Sequence, residues 1–306
     1  MINFLNIIFS IFALLFLPFI MIGVIKKTKA FWGGRKGASV FQSLYDFIKL
    51  LKKDFVISKS TSFVFTLAPL VSIVCTVFAG LFVPLITGYA IINIEMGLII
   101  FAYILGLNKF FALISAMDTA SSFEGMGASR EACFTSIVEP AFFIIMASIM
   151  VISHNYTFES LSKIIQNTGS YGVLIGIFAV LALFLMVLIE GCRVPVDDPN
   201  THLELTMIHE VMILDNSGFD LAMLTYAASM KMLLILSLIA KIIIPDGAVY
   251  YPVYYLAAIL LISIIIGTVE SSMARIRMSH VFEFIFIMSS FALVILSLTA
   301  VRVFGG

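Results

Sequence analysis

GVLIGIFAVLALFLMVLI, Gly172 to Ile189, runs for eighteen residues without a charge. EGCRVPVDDPNTHLELTMIHE, Glu190 to Glu210, follows at once with five carboxylates, two histidines and one arginine. An apolar run of about 18–20 residues is what a helix needs to cross the hydrocarbon core of a bilayer. The first stretch therefore reads as a membrane span, and the second as a charged loop held at the membrane surface. The whole chain agrees with that reading. Of its 306 residues 61% are hydrophobic and 12% charged, against about 45–50% and about 25% in soluble domains. A soluble globular protein is excluded. Net charge is zero, which by itself says nothing about nucleic acid; the lipid bilayer is the expected partner and no nucleic acid is.

Scanning outward from that run yields eight spans, at about 3–25, 62–86, 92–116, 131–152, 170–189, 220–244, 249–269 and 281–303. The expectation is an all-α integral membrane protein, residues 1–306 forming one polytopic domain. The first run lacks a basic leader region and a small-residue cleavage site, so it reads as a span and not as a cleavable signal. Lys and Arg in the loops set the orientation. Lys26, Lys27, Lys29, Arg35, Lys36, Lys49, Lys52, Lys53 and Lys59 lie between the first two spans, and Lys109, Arg130, Arg193, Arg275 and Arg277 are counted on the same side. Only Lys163 and Arg302 lie opposite. The basic side is cytoplasmic, both termini are extracytoplasmic, and the acidic loop 190–219 faces the cytoplasm.

ASVFQSLYDFIKLLKKDF, residues 38–55, is not a span. Val40, Phe41, Leu44, Ile48, Leu51 and Phe55 recur at helical spacing against a stripe of Gln42, Asp46, Lys49 and Lys53. That pattern is an amphipathic helix lying in the cytoplasmic interface.

A charge at the centre of a span costs about 2.5–3.5 kcal/mol on insertion scales, so such residues usually serve a function. Glu139 falls nine residues beyond Arg130, roughly 13 Å into the fourth span at 1.5 Å per residue. Pro140 follows it and cannot donate to the carbonyl of Ser136, which opens a polar gap beside the acid. Lys231 lies deep in the sixth span and is the candidate partner of Glu139. Glu190 sits at a span end. Cys75, Cys133 and Cys192 have no CxxC spacing, so no iron–sulfur or zinc site is expected in this chain. GMGASR (125–130) has no preceding strand and is no dinucleotide loop. His202 and His209 share a helix face with one nearby acid, too little for a metal site. No nucleophile–base arrangement is legible.

Several charge-bearing motifs, in order, resemble the complex I subunit 1 family, a membrane component of NADH-quinone oxidoreductases. EGCRVPVDDPNTHLELTMIHEVMILDNSG resembles the family's third cytoplasmic loop, with Glu190, Arg193, Pro195, Asp197, Pro199, Glu204, Leu205, Ser217 and Gly218 as the shared skeleton. GMGASREACFTSIVEP matches at Gly127, Arg130 and Glu139, and VESSMARIRM resembles the last loop. The likeness runs from about residue 30 to 280. Quinone-reducing members carry an acid-rich PEAESEL where this chain has PNTHLEL, and Asp215-Asn216 stands where Glu-Tyr is usual. The wording DTASSFEGMGASRE and THLELTMIHE is nearer the membrane-bound nickel–iron hydrogenase branch, of hydrogenase-4 and formate hydrogenlyase type.

The resemblance implies a non-catalytic subunit that anchors a redox arm and couples it to proton or ion translocation. It implies partners as well: hydrogenase large and small subunits, iron–sulfur subunits and antiporter-like membrane subunits, with the nickel–iron centre and iron–sulfur clusters in those partners and no cofactor here. Glu139, Lys231, Glu190, Asp197, Asp198 and Glu204 are the expected coupling residues, with Arg193 holding the loop acids. Arg130, Arg193, His202, Glu210, Arg275 and Arg277 are expected at the redox-arm interface. The corresponding component of a quinone-reducing complex I and a stand-alone ion transporter are the alternatives.

Overall fold

In lipid every backbone N–H and C=O must find its partner within the segment, so long apolar runs fold as helices. The computed structural model describes residues 4–54, 56–158, 160–167, 169–198, 207–245 and 247–304, and these form helices without a strand. Among the described residues eight helices are long and apolar enough to cross a membrane. They are α1 (Phe4–Trp32), α3 (Phe63–Phe82), α4 (Gly97–Asp118), α5 (Ser122–Ser153), α7 (Gly169–Glu190), α9 (Gly218–Ile243), α10 (Tyr251–Ser272) and α11 (Met278–Phe304). The shorter α2 (Gln42–Leu51), α6 (Ser160–Asn167) and α8 (His209–Met212) lie between them.

Boundaries depart from the apolar runs for local reasons. α3 stops at Phe82, before the expected residue 86, because Pro84 disfavours helical backbone at Val83, which is extended with ψ 130°. α1 runs on to Trp32 and ends among Lys26, Lys27 and Lys29, where basic residues suit the negative end of the helix dipole. α5 begins at Ser122, nine residues before the expected span, so its 32 residues reach about 48 Å at 1.5 Å each. That exceeds the roughly 30 Å of hydrocarbon, and the first turns of α5 stand out beside the loops.

α9 is the most buried of the spans. It packs against α1, α3, α7 and α10, while α4 lies on α3 and α5, and α11 on α5 and α7. α2 is shorter than the expected 38–55. It turns Leu44 and Phe47 toward the main core and leaves Phe41, Tyr45 and Ile48 exposed. Ser43 Oγ donates to the carbonyl of Phe19 at 2.9 Å. Gly23 lets this segment close on α1, since a Cβ there would overlap the carbonyl of Val40. Gly218 begins α9 at φ +53° with Asp54 O so near that a Cβ would lie 2.6 Å from it; both constraints favour glycine.

Candidate functional site

Where α4, α5, α7 and α9 meet, four spans contribute charge to one place. Lys109 Nζ of α4 lies 2.6 Å from Glu190 Oε1 and 3.1 Å from Glu131 Oε1 of α5. Glu190, the last residue of α7, turns its other oxygen to Lys231 Nζ of α9 at 3.1 Å. The side chains form an alternating row, Glu131, Lys109, Glu190, Lys231. Glu190 accepts from both ammoniums, the arrangement that makes buried charge tolerable. Glu139 lines the same cavity, which has a volume of about 80 Å³. It makes no ion pair among the described residues.

A second layer of charge fastens the loops on the basic side. Asp197, with its side chain 1% exposed, is 2.9 Å from Arg275 Nη2. Its Oδ2 accepts from the backbone N–H of Ile208 at 3.0 Å and of His209 at 3.4 Å. Ile276 N donates to Pro195 O, so the first half of the acidic loop is stapled to the segment after α10. Arg193 Nη1 lies 3.3 Å from Glu270 Oε1 in α10. Lys29 Nζ is 3.6 Å from Glu270 Oε2 and 3.7 Å from Asp198 Oδ1. From α5, Arg130 Nη1 donates to Met207 O at 2.9 Å. Gly127 allows the loop this close, because a Cβ there would lie 2.9 Å from Ile208 O and overlap Val211.

A larger cavity of about 280 Å³ lies under α2, reaching Lys26, Asp46, Cys192, Arg193, His209 and Tyr226. Burial pushes the Cys192 thiol well above its ordinary range. Burial, followed by the Lys231 ammonium, holds the His209 imidazole below its ordinary range.

The structure brings Glu139, Glu190 and Lys231 into one cavity, but Lys231 pairs with Glu190 and not with Glu139. The base on Asp197 is Arg275; Arg193, expected to hold the loop acids, turns inward to Glu270. Asp198 faces Lys29. Glu210 lines the cavity under α2, and Arg277 is exposed. His202 and Glu204 lie outside the described residues. Lys109, counted above with the cytoplasmic loops, is inside α4 with its side chain 10% exposed. Lys109, Glu131, Glu270, Lys29 and His209 are the site residues that sequence reasoning missed. Lys109 had a signal, a lone base in the apolar run FAYILGLNKFFALIS. Among the described residues no cluster of three or more His, Cys, Asp or Glu could hold a metal ion.

A family model described as NADH dehydrogenase matches residues 5–300. The chain belongs to this family, that of complex I subunit 1. Within the family it is similar to Hydrogenase-4 component C of Escherichia coli, 28% identical over 273 residues that cover 86% of this chain and 85% of the relative. Formate hydrogenlyase subunit 4 of the same organism is 27% identical over 84% of this chain and 85% of the relative. NADH-ubiquinone oxidoreductase chain 1 of Arabidopsis thaliana is 27% identical over 67% of this chain and 64% of that one. A chain of the membrane-bound sulfane sulfur reductase, an archaeal respiratory membrane complex, shares the fold with a TM-score of 0.82 at 17% identity, over 97% of this chain and 99% of that chain. As a complex I subunit 1-like protein, the chain is a multi-pass membrane subunit of a complex I-like assembly.

Proposed function

We propose that this chain is the anchor and coupling subunit of a membrane-bound nickel–iron hydrogenase complex of hydrogenase-4 or formate hydrogenlyase type. The observation that carries the coupling role is the row Glu131–Lys109–Glu190–Lys231, with Glu139 beside it, directly beneath loops stapled at Asp197. A charge change at the loops reaches the row through a low-dielectric interior, where its influence is far stronger than in water. Similarity to the two Escherichia coli proteins over most of their length supports the hydrogenase branch. In this reading the large and small hydrogenase subunits and iron–sulfur subunits sit on the loops and hold the nickel–iron centre and clusters, and antiporter-like subunits adjoin in the bilayer. Exposed Arg277 contacts the arm directly, whereas buried Arg193 acts only through Glu270.

Purification in mild detergent through a tag on this chain tests the proposal. A nickel–iron subunit pair with H2-dependent dye reduction is the expected result; a lone chain that transports ions by itself would overturn it. One observation favours a second reading, the corresponding component of a quinone-reducing complex I: the cavity of about 280 Å³ under α2. Quinone reduction by the purified complex would establish that reading instead. We place the chain in the cytoplasmic membrane with both termini outside. A reporter fused after Gly306 is expected to read as extracytoplasmic, and a cytoplasmic signal would reverse the orientation.

A further inference from the structure

We propose that His209 is the residue through which the buried ion row exchanges protons with the cavity under α2. This rests on the coupling role above and names the entry point that role requires. The two cavities share three lining residues, Ile213, Ala228 and His209, and only His209 titrates. On one side, the outer cavity reaches Lys26 and Asp46, both exposed, so water has access. On the other, the inner cavity has room for ordered waters and places three carboxylates, Glu131, Glu139 and Glu190, against two ammoniums, Lys109 and Lys231. Glu131 and Glu190 are paired; Glu139 is the carboxylate without an ammonium within ion-pair distance among the described residues. Glu139 is therefore the carboxylate of the row free to take up and give back a proton.

The transfer balances without any further reactant. A hydronium ion reaching the outer cavity from bulk solvent gives a proton to one ring nitrogen of His209 and is left as water. The imidazolium releases the proton on its other nitrogen to the waters of the inner cavity, which pass it to a carboxylate oxygen of Glu139. Ring rotation restores the starting tautomer, and the reverse sequence returns the proton.

His209 is suited to this by its surroundings. From the loop, Asp197 accepts from its backbone N–H, leaving the imidazole free of the staple. Arg193 and Glu210 line the outer cavity with it. Glu131 from α5, Lys109 from α4 and Lys231 from α9 face it within the inner cavity. Lys231 and Lys109 oppose the protonated ring, while Glu131 and Asp197 favour it. Together with burial, this keeps the imidazolium a passing state and not a resting one.

The test is time-resolved infrared spectroscopy of the purified complex after a pH jump. The carboxylic C=O band that disappears in Glu139→Gln identifies the Glu139 carboxyl. In His209→Gln that band is expected to respond about a hundredfold more slowly, the lower end of what a positioned acid–base group contributes. In His209→Ala, added imidazole, small enough for the outer cavity, is expected to restore the rate, which a merely structural histidine would not allow. An unchanged rate in His209→Gln, no imidazole rescue, or no band assignable to Glu139 overturns the proposal. Ion translocation by sealed vesicles, read separately, decides the coupling role itself: wild-type complex that fails to translocate defeats that role, whatever the infrared result.

Discussion

Arg193→Glu is expected to leave little of this protein folded in the membrane, and Arg193→Glu with Glu270→Arg to recover part of it. Loop position alone would make Arg193 a surface clamp on seven acids between residues 190 and 220, and its reversal would then merely shed the redox arm. Its geometry says otherwise. The guanidinium is buried and pairs with Glu270, whose side chain is 1% exposed. Removing one partner of a buried pair costs about 3–5 kcal/mol, and reversal adds a second buried carboxylate facing the first. The exchanged pair restores the attraction, but Glu270→Arg brings a guanidinium to where Lys29 lies 3.6 Å from the present carboxylate, so recovery stays incomplete. Immunoblots of membrane fractions and thermal melting in detergent provide the measurement. Full levels of folded single mutant with a detached arm would return Arg193 to the surface role.

Glu139→Gln is expected to act at the opposite extreme, on coupling with the fold untouched. Glutamine keeps the size and removes the titration. Glu139 holds no ion pair among the described residues, so no buried partner is stranded by the change. In the hydrogenase complex proposed above, assembly and dye-linked hydrogenase activity should stay near wild type, while ion translocation in sealed vesicles falls by about a hundredfold or more. Equal loss of both activities would mark Glu139 as structural. Unchanged translocation would remove it from the path.

The eight spans were legible in the sequence because hydropathy over about 20 residues is a strong local signal. Their ends were less so. α3 stops where Pro84 acts through Val83, and α5 starts early because Ser122 to Arg130 is helical without being apolar. In the site, Glu139, Glu190 and Lys231 stood out as charges in or beside oily helices. Their pairing did not, since Lys231 and Glu190 are 41 residues apart, and Lys109 and Glu190 are 81. Nothing local in Arg193 points to Glu270, 77 residues on; sequence nearness to Asp197 and Asp198 suggested the wrong partner. His209 drew notice only with His202, as too little for a metal site, because its place at the junction of two cavities exists only after α8 has packed on α5.

The alternating row also bears on how the chain enters the membrane as it is made. Lys109 leaves the ribosome first and must enter the bilayer as a solitary cation in α4, at a cost of about 2.5–3.5 kcal/mol on insertion scales. Glu131 follows within one helical hairpin and offsets that cost early. Glu190 arrives next and lands on the same ammonium, so α4, α5 and α7 carry a surplus of negative charge until α9 delivers Lys231. The sixth span thus has a waiting site before it is synthesised. Halting translation just before α9 would leave a five-span intermediate with an unneutralised carboxylate facing the place that α9 is to fill.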